Sequence, residues 1–202
     1  MSVHPKLKNH LNSHQVKYEI ILHKKVFTAL DVAATLKARL EEIAKSLVVK
    51  ADNNYYLLIL SSNKNVNLVK LKKVLKAGKV VIPKEAELIK VYKIKPGNLT
   101  GFGSLHKLPV VVDKSFQKVK QAIFSGGSLV ESVKMAIKDY IKIEEPIIHA
   151  FAEMKKFKKA GLIKKTKRKG QKLRKQAGSR QSAKSKKPKA ISGGLGRKKA
   201  SH

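Results

Sequence analysis

Apolar positions along this chain switch between helical and strand-like spacing, with short polar breaks between the segments. Leu7 and Leu11 predict a short helix over 6–14, ending near Ser13, and 16–22 reads as a strand. Thr28 then has the look of an N-cap, with Asp31 in capping-box position and Phe27 as a hydrophobic staple, and it opens a helix through Leu30, Ala33 and Ala34 to about Lys37. A second short helical piece, 40–44, leads into a strand at 46–49. A turn at Asp52, Asn53 and Asn54 returns the chain as strand 55–60, whose near-continuous apolar character places it centrally in a sheet. Asn67 opens a helix with Leu68, Leu71, Val74 and Leu75 inward and Gly78 at its C-cap. A strand at 80–82, a helix at 84–90 behind Pro83, and the segment 91–94 bring the chain to a glycine-rich loop. Beyond it come strands at 110–112, 120–124 and 130–135, a turn near Lys114 and Ser115, a second glycine turn at 125–128, and a short helix at 136–141. Pro146 suits a helix N1 position, and Ile147, Phe151, Met154 and Phe157 recur at helical spacing, so a C-terminal helix is expected over 146–161. This mixture has no strict βαβ rhythm. It predicts an α+β fold on a mixed, partly antiparallel sheet with flanking helices.

Charge divides the chain in two. Lysine and arginine number 46 against 13 acidic residues, a formal net charge of +33. From Lys155 onward there are 20 basic residues and no acidic one. Residues 162–202 are Lys, Arg, Ser, Gly and Gln with little that is apolar, a composition that cannot offset the entropy of ordering and is expected to be a disordered basic tail. The expected organisation is a domain over 1–145, the helix 146–161 and the tail 162–202. Such a balance calls for a polyanion, nucleic acid first among them. Cysteine is absent, which excludes disulfides, thiolate metal sites and a cysteine nucleophile. No apolar run reaches the length of a membrane span and no signal core opens the chain, so a soluble, cytoplasmic protein is expected.

Candidate chemistry gathers at two glycine clusters and one lysine. Gly97, Gly101 and Gly103 lie within seven residues, anchored by Phe102 and Leu105 and followed by His106 and Lys107. Glycines without side chains let backbone approach a ligand closely. The loop lacks a phosphate-binding pattern, and Ser104, His106 and Asp113 have the spacing of no known catalytic triad. His10 and His14, four apart on a predicted helix, are read as surface histidines, and no metal is expected. Lys45 stands between a predicted helix and a buried strand. Its ammonium there either snorkels to water or meets an anion or a carbonyl dipole. On the helix after Asn67, Lys70, Lys72, Lys73 and Lys76 form a face without acids: a solvated surface, or one that contacts phosphates.

Several motifs fall in an order that resembles the YbaK/ProX family of free-standing aminoacyl-tRNA editing domains. They are Thr28 with Asp31, the junction Ala44-Lys45-Ser46-Leu47-Val48, the loop from Gly97 to Gly103 followed by Lys107-Leu108-Pro109, then Asp113 and Ser125-Gly126-Gly127. The resemblance covers roughly 15–143. It implies a hydrolase that cleaves the ester of a mischarged tRNA, typically tRNA(Pro) carrying cysteine or alanine, with prolyl-tRNA synthetase as an associated partner and no cofactor. Lys45 matches the family lysine that contacts the aminoacyl end. Gly97, Thr100, Gly101, Phe102, Gly103, Ser125, Gly126 and Gly127 would hold the aminoacyl-adenosine group. Lys70, Lys72, Lys73, Lys76 and Lys107 would grip tRNA. One departure stands out: the family's loop proline is Gly101 here, which implies a looser pocket. Two other readings remain open, an RNA-binding module that kept the fold without the activity, and a basic DNA- or ribosome-associated protein.

Overall fold

The computed structural model describes residues 5–95 and 97–155. Along the chain run α1 (Pro5–Ser13), β1 (Tyr18–Leu22), α2 (Ala29–Leu36), β2 (Ala44–Ala51), β3 (Asn54–Ser61), β4 (Lys64–Val66), α3 (Leu68–Val74), β5 (Val80–Val81) and α4 (Glu85–Tyr92). After the glycine loop come β6 (Val110–Asp113), β7 (Gln121–Ser125), β8 (Glu131–Ala136), α5 (Ile137–Glu144), β9 (Ile147–His149) and β10 (Ala152–Met154), with 3-10 turns at Gly103–His106 and Lys114–Lys118. The fold is α+β.

A five-stranded sheet ordered β5-β2-β3-β6-β9 forms the centre, and β3 is its middle strand. Leu57, Leu58, Ile59 and Leu60 of β3 are all buried, as expected for a strand covered on both faces. It pairs antiparallel with β2 and parallel with β6. A separate antiparallel sheet, β1-β8-β7, meets the start of β2, where Ile43 bridges to Ile123 and the Ile123 amide donates to the Glu42 carbonyl at 2.8 Å. The meeting of these two sheets creates a cleft. Behind it, Phe102, Phe116, Phe124 and Tyr140 form an aromatic core in which the Phe124 and Tyr140 rings stack at 4.4 Å.

Capping signals hold where they are local. Asp31 N donates to Thr28 Oγ1 at 3.2 Å and Thr28 N to the Asp31 carboxylate at 3.1 Å, a complete capping box for α2. Asn67 Oδ1 accepts from Lys70 N at 3.0 Å at the start of α3. Where neighbours decide, the expectations change. Phe27 is no staple; it is 73% exposed. The helical piece 40–44 is instead a turn that runs into β2 at Ala44, because the Leu40 and Ile43 carbonyls accept from Ser62 N rather than from amides four residues on. Lys45 is therefore the second residue of β2 rather than a helix–strand junction. Lys76, at φ +49°, turns the chain after α3 in place of Gly78.

The largest correction concerns 146–161. Over its described part this segment is not a helix but the strands β9, parallel to β6, and β10, antiparallel to β4. Glu145 takes a left-handed conformation (φ 43°) that ends α5, so Pro146 follows a helix end instead of opening a helix. Asp113 then holds the segment extended. Its carboxylate accepts from Phe151 N at 3.0 Å and Ala152 N at 2.9 Å. The expected tail, 162–202, lies outside the described residues.

Candidate active site

The cleft measures about 240 Å³ and is walled by the start of α2, the start of β2, the glycine loop, and the turn between β7 and β8. Lys45 lines it. Burial, the larger cause, and the nearby Lys155 cation together hold the Lys45 ammonium below the ordinary lysine pKa. No hydrogen bond or ion pair engages its ammonium among the described residues. A half-buried cation left in that condition is suited to an incoming anion or carbonyl oxygen.

Across the cleft, His23 is fixed by two contacts. Nδ1 faces the Lys24 carbonyl at 2.8 Å and must carry a proton, and Nε2 lies 2.9 Å from the Ser132 hydroxyl. In the neutral ring, Nε2 therefore accepts from Ser132. Glu131, the first residue of β8, also lines the cleft and is 1% exposed. The N-terminal turn of α2 contributes Thr28 and Ala29 to the rim and brings the positive end of the helix dipole there.

Of the residues expected to touch substrate, Lys45, Gly97 and Ser125 share this cleft. Gly97, at φ +83°, brings its backbone against Leu129, which a Cβ would approach to 2.9 Å. Gly126 and Gly127 lie in the adjoining turn, off the wall. Thr100, Gly101, Phe102 and Gly103 lie behind the wall instead of on it. Phe102 is fully buried, and a Cβ on Gly103 would come within 2.3 Å of the Leu108 carbonyl oxygen. Gly101 backs onto Phe124, a wall residue, with 2.6 Å available to a Cβ, and its carbonyl accepts from the Tyr140 hydroxyl at 2.7 Å. Gly101 lets the loop press against the aromatic core and so acts on the cleft through Phe124, while Gly103 makes room for the Leu108 carbonyl and the Val110 side chain. Thr100 N donates to His106 Nε2 at 3.2 Å, which fixes the loop's shape.

Lys70, Lys72, Lys73, Lys76 and Lys107 are exposed, and none of them borders the cleft. Folding assembles a different basic surface, a groove of about 1030 Å³ that shares Ile123 with the cleft. Lys37, Arg39, Lys64, Lys118, Lys120 and Lys134 line it beside Glu41 and Glu42. Arg39 is committed to Glu42 at 2.6 Å and Lys64 to Asp113 at 3.6 Å, whereas Lys37, Lys118 and Lys120 have no ion pair among the described residues. Nothing in the sequence marks this groove, because its lysines come from separate segments. A second cluster, His10, Ser104 and Glu144, contains the residue types of a hydrolytic triad. Its geometry is wrong for one: Ser104 Oγ donates to Glu144 at 2.6 Å, and His10 Nε2 contacts that same carboxylate oxygen at 3.1 Å. The cluster ties α1 and the 3-10 turn to α5.

The cleft thus offers a lysine with no hydrogen-bond or ion-pair partner among the described residues and a histidine–serine pair. The profile of the aminoacyl-tRNA editing domain matches residues 23–143, more than half of the chain. The chain belongs to that family, whose activity is hydrolytic deacylation of mischarged tRNA. Among solved structures it is similar to the hypothetical protein APE2540, at 17% identity and TM-score 0.68 over 73% of this chain and 99% of that one. It is also similar to a candidate trans-editing enzyme for prolyl tRNA synthetase, at 18% identity and TM-score 0.65 over 75% and 99% of the two chains. These likenesses establish the shared fold. No curated protein matches the sequence significantly.

Proposed function

We propose that this chain is a trans-editing hydrolase that removes a small amino acid, cysteine or alanine, from mischarged tRNA(Pro) in the cytoplasm, working beside prolyl-tRNA synthetase. The observation that carries this reading is the half-buried Lys45, without a hydrogen-bond or ion-pair partner among the described residues, in a cleft of about 240 Å³ within an editing domain. A space of that size suits a small aminoacyl group, since pockets for drug-sized ligands run from about 300 Å³ upward. Water attacks the ester carbonyl, the bond to the ribose oxygen breaks, and free amino acid and tRNA leave. Lys45 steadies the carbonyl oxygen as negative charge develops on it. The His23 ring, oriented by the Lys24 carbonyl and bonded to Ser132, is the base within reach of the cleft. Groove lysines Lys37, Lys118 and Lys120 carry the phosphates of the acceptor end.

The test is deacylation of a panel of mischarged tRNAs by wild type and Lys45→Ala. Cysteinyl- or alanyl-tRNA(Pro) should be the best substrate. The variant should be slower by about 10²–10³-fold, the scale of removing one oxyanion-hole donor, with its fold intact. Near wild-type turnover by Lys45→Ala would remove the lysine from the mechanism. Binding of tRNA with no deacylation of any substrate would favour an RNA-binding module that kept the fold.

A further inference from the structure

Two buried side-chain oxygens in the cleft have no partner: Glu131 Oε1 and Ser46 Oγ. Buried polar atoms are satisfied in the great majority of cases, and an orphaned carboxylate oxygen is among the costliest exceptions. The other oxygen of Glu131 is barely better served, with the Ser128 hydroxyl at 3.4 Å. No ion pair among the described residues involves Glu131. Lys45 lines the same cleft without forming an ion pair to Glu131, and His23 spends its Nδ1 proton on a backbone carbonyl. Ser132, the other hydroxyl beside Glu131 in sequence, is engaged with His23. Among the described residues the cleft is therefore lined by a cation, Lys45, and by two residues with unsatisfied buried acceptors, Glu131 Oε1 and Ser46 Oγ.

An aminoacyl ester carries complementary groups on adjacent atoms. Its carbonyl oxygen seeks a cation or donor. Its α-ammonium has three N–H donors and seeks an anion with further acceptors. We propose that Glu131 is the receptor for the α-ammonium group of the substrate's amino acid, with Ser46 taking a second of its hydrogen bonds. The site is thereby restricted to esters of amino acids whose amine is free. This rests on the reading of the chain as an aminoacyl-tRNA hydrolase, and it names what that hydrolase recognises. Because the carboxylate is already dehydrated, its attraction for an ammonium is poorly screened, and an uncharged amide in that place, with a single N–H, leaves its charge uncompensated. Rejection of acylated amines follows from that penalty and from the space an acyl group needs in so small a cleft.

The experiment uses the full chain and two kinds of probe. The first is the best alanyl- or cysteinyl-tRNA substrate and the same tRNA with its amine acetylated. Wild type should cleave the free-amine form with kcat/KM at least tenfold above the acetylated form. Glu131→Gln, nearly isosteric, should raise KM for the free-amine form at least tenfold, leave kcat within about threefold, and erase the preference. A loss confined to kcat, equal for both substrates, would make Glu131 a proton acceptor in the reaction and overturn the assignment. The second probe needs no turnover: 3′-alanylamino-adenosine, in which an amide replaces the ester, and its N-acetyl counterpart, titrated by calorimetry. Tighter binding of the free amine by wild type, abolished in Glu131→Gln, supports the assignment even if no tRNA is deacylated, an outcome that would sink the hydrolase reading alone. Equal binding of the two nucleosides by wild type overturns the assignment without recourse to any variant.

Discussion

Two buried carboxylates in this molecule are treated in opposite ways. Asp113, at the end of β6, is 2% exposed and Glu131, at the start of β8, is 1% exposed. Asp113 accepts hydrogen bonds from the Phe151, Ala152 and Ser115 amides and the Ser115 hydroxyl, and Lys64 stands 3.6 Å away. Burial, the largest single influence, pushes its pKa up, but the hydrogen bonds together outweigh it and hold the carboxyl below its usual range. Glu131 has one long contact and one orphaned oxygen. Full satisfaction marks a group whose task is finished once the chain has folded. An unsatisfied one marks a group whose partner arrives later. The first acid builds the sheet and the second serves the cleft.

Exchanging the acids for neutral groups should separate those tasks most sharply at Asp113. Asp113→Ala leaves the Phe151 and Ala152 amides without their acceptor and Lys64 without its counter-ion, and should cost about 3–5 kcal/mol in denaturant unfolding, the scale of breaking a buried charged network. Glu131→Gln should cost under about 1 kcal/mol, because no cation or strong donor is removed from it there. The pH dependence has a definite sign. A carboxyl with a lowered folded pKa stabilises above its unfolded pKa, and that stabilisation is lost as pH falls through the folded value. Wild type should therefore lose stability on acidification more steeply than Asp113→Ala. Equal costs for the two substitutions would erase the distinction between the acids.

The same contrast separates what is legible in the sequence from what is not. Local chemistry is legible: the Thr28–Asp31 capping box, the Asn67 cap and the apolar run of β3 each need only near neighbours. The family motifs also bring Lys45, Gly97 and Ser125 to one place. What stays hidden depends on groups distant in sequence. The segment after Pro146 shows apolar residues at helical spacing, yet Asp113, 38 residues before Phe151, holds it extended. The glycines at 101 and 103 suggest a loop open to substrate, whereas their missing side chains make room for Phe124 and the Leu108 carbonyl. Glu131 and Ser132 carry no motif. They acquire meaning only when β8 pairs with β1 and brings them beside His23.

A comparison of the two lysine surfaces yields a smaller effect. If RNA phosphates follow the groove, Lys118→Ala with Lys120→Ala should weaken tRNA binding and reduce the log–log salt slope by about 0.7–0.9 for each phosphate that is no longer neutralised. Removing Lys72 and Lys73 from α3 should change the slope less, since neither borders the groove or the cleft. Binding measured against salt for both pairs decides between the surfaces. A larger change from the α3 pair would return the phosphate-binding role to the helix face.

The smallest effect probes the cation that shares the cleft with Glu131. Lys45 has a lowered pKa, so the folded protein disfavours its ammonium. That cost is fully present below the folded pKa and is relieved as pH rises through it. If the ammonium steadies the reacting carbonyl, kcat/KM must fall on the alkaline side at a pH below that of an ordinary lysine, about 10.4. Burial is the larger cause of the shift and repulsion from Lys155 the smaller. Lys155→Met keeps most of the stem and removes the charge, so the alkaline limb should move upward by only part of its displacement. Lys45→Ala should leave no limb to move. A pH–rate profile of wild type and Lys155→Met on the best substrate reads this directly. An unmoved limb would mean that the two ammonium groups do not sense each other, and a limb at the ordinary lysine position in wild type would mean that burial leaves the charge on Lys45 untouched.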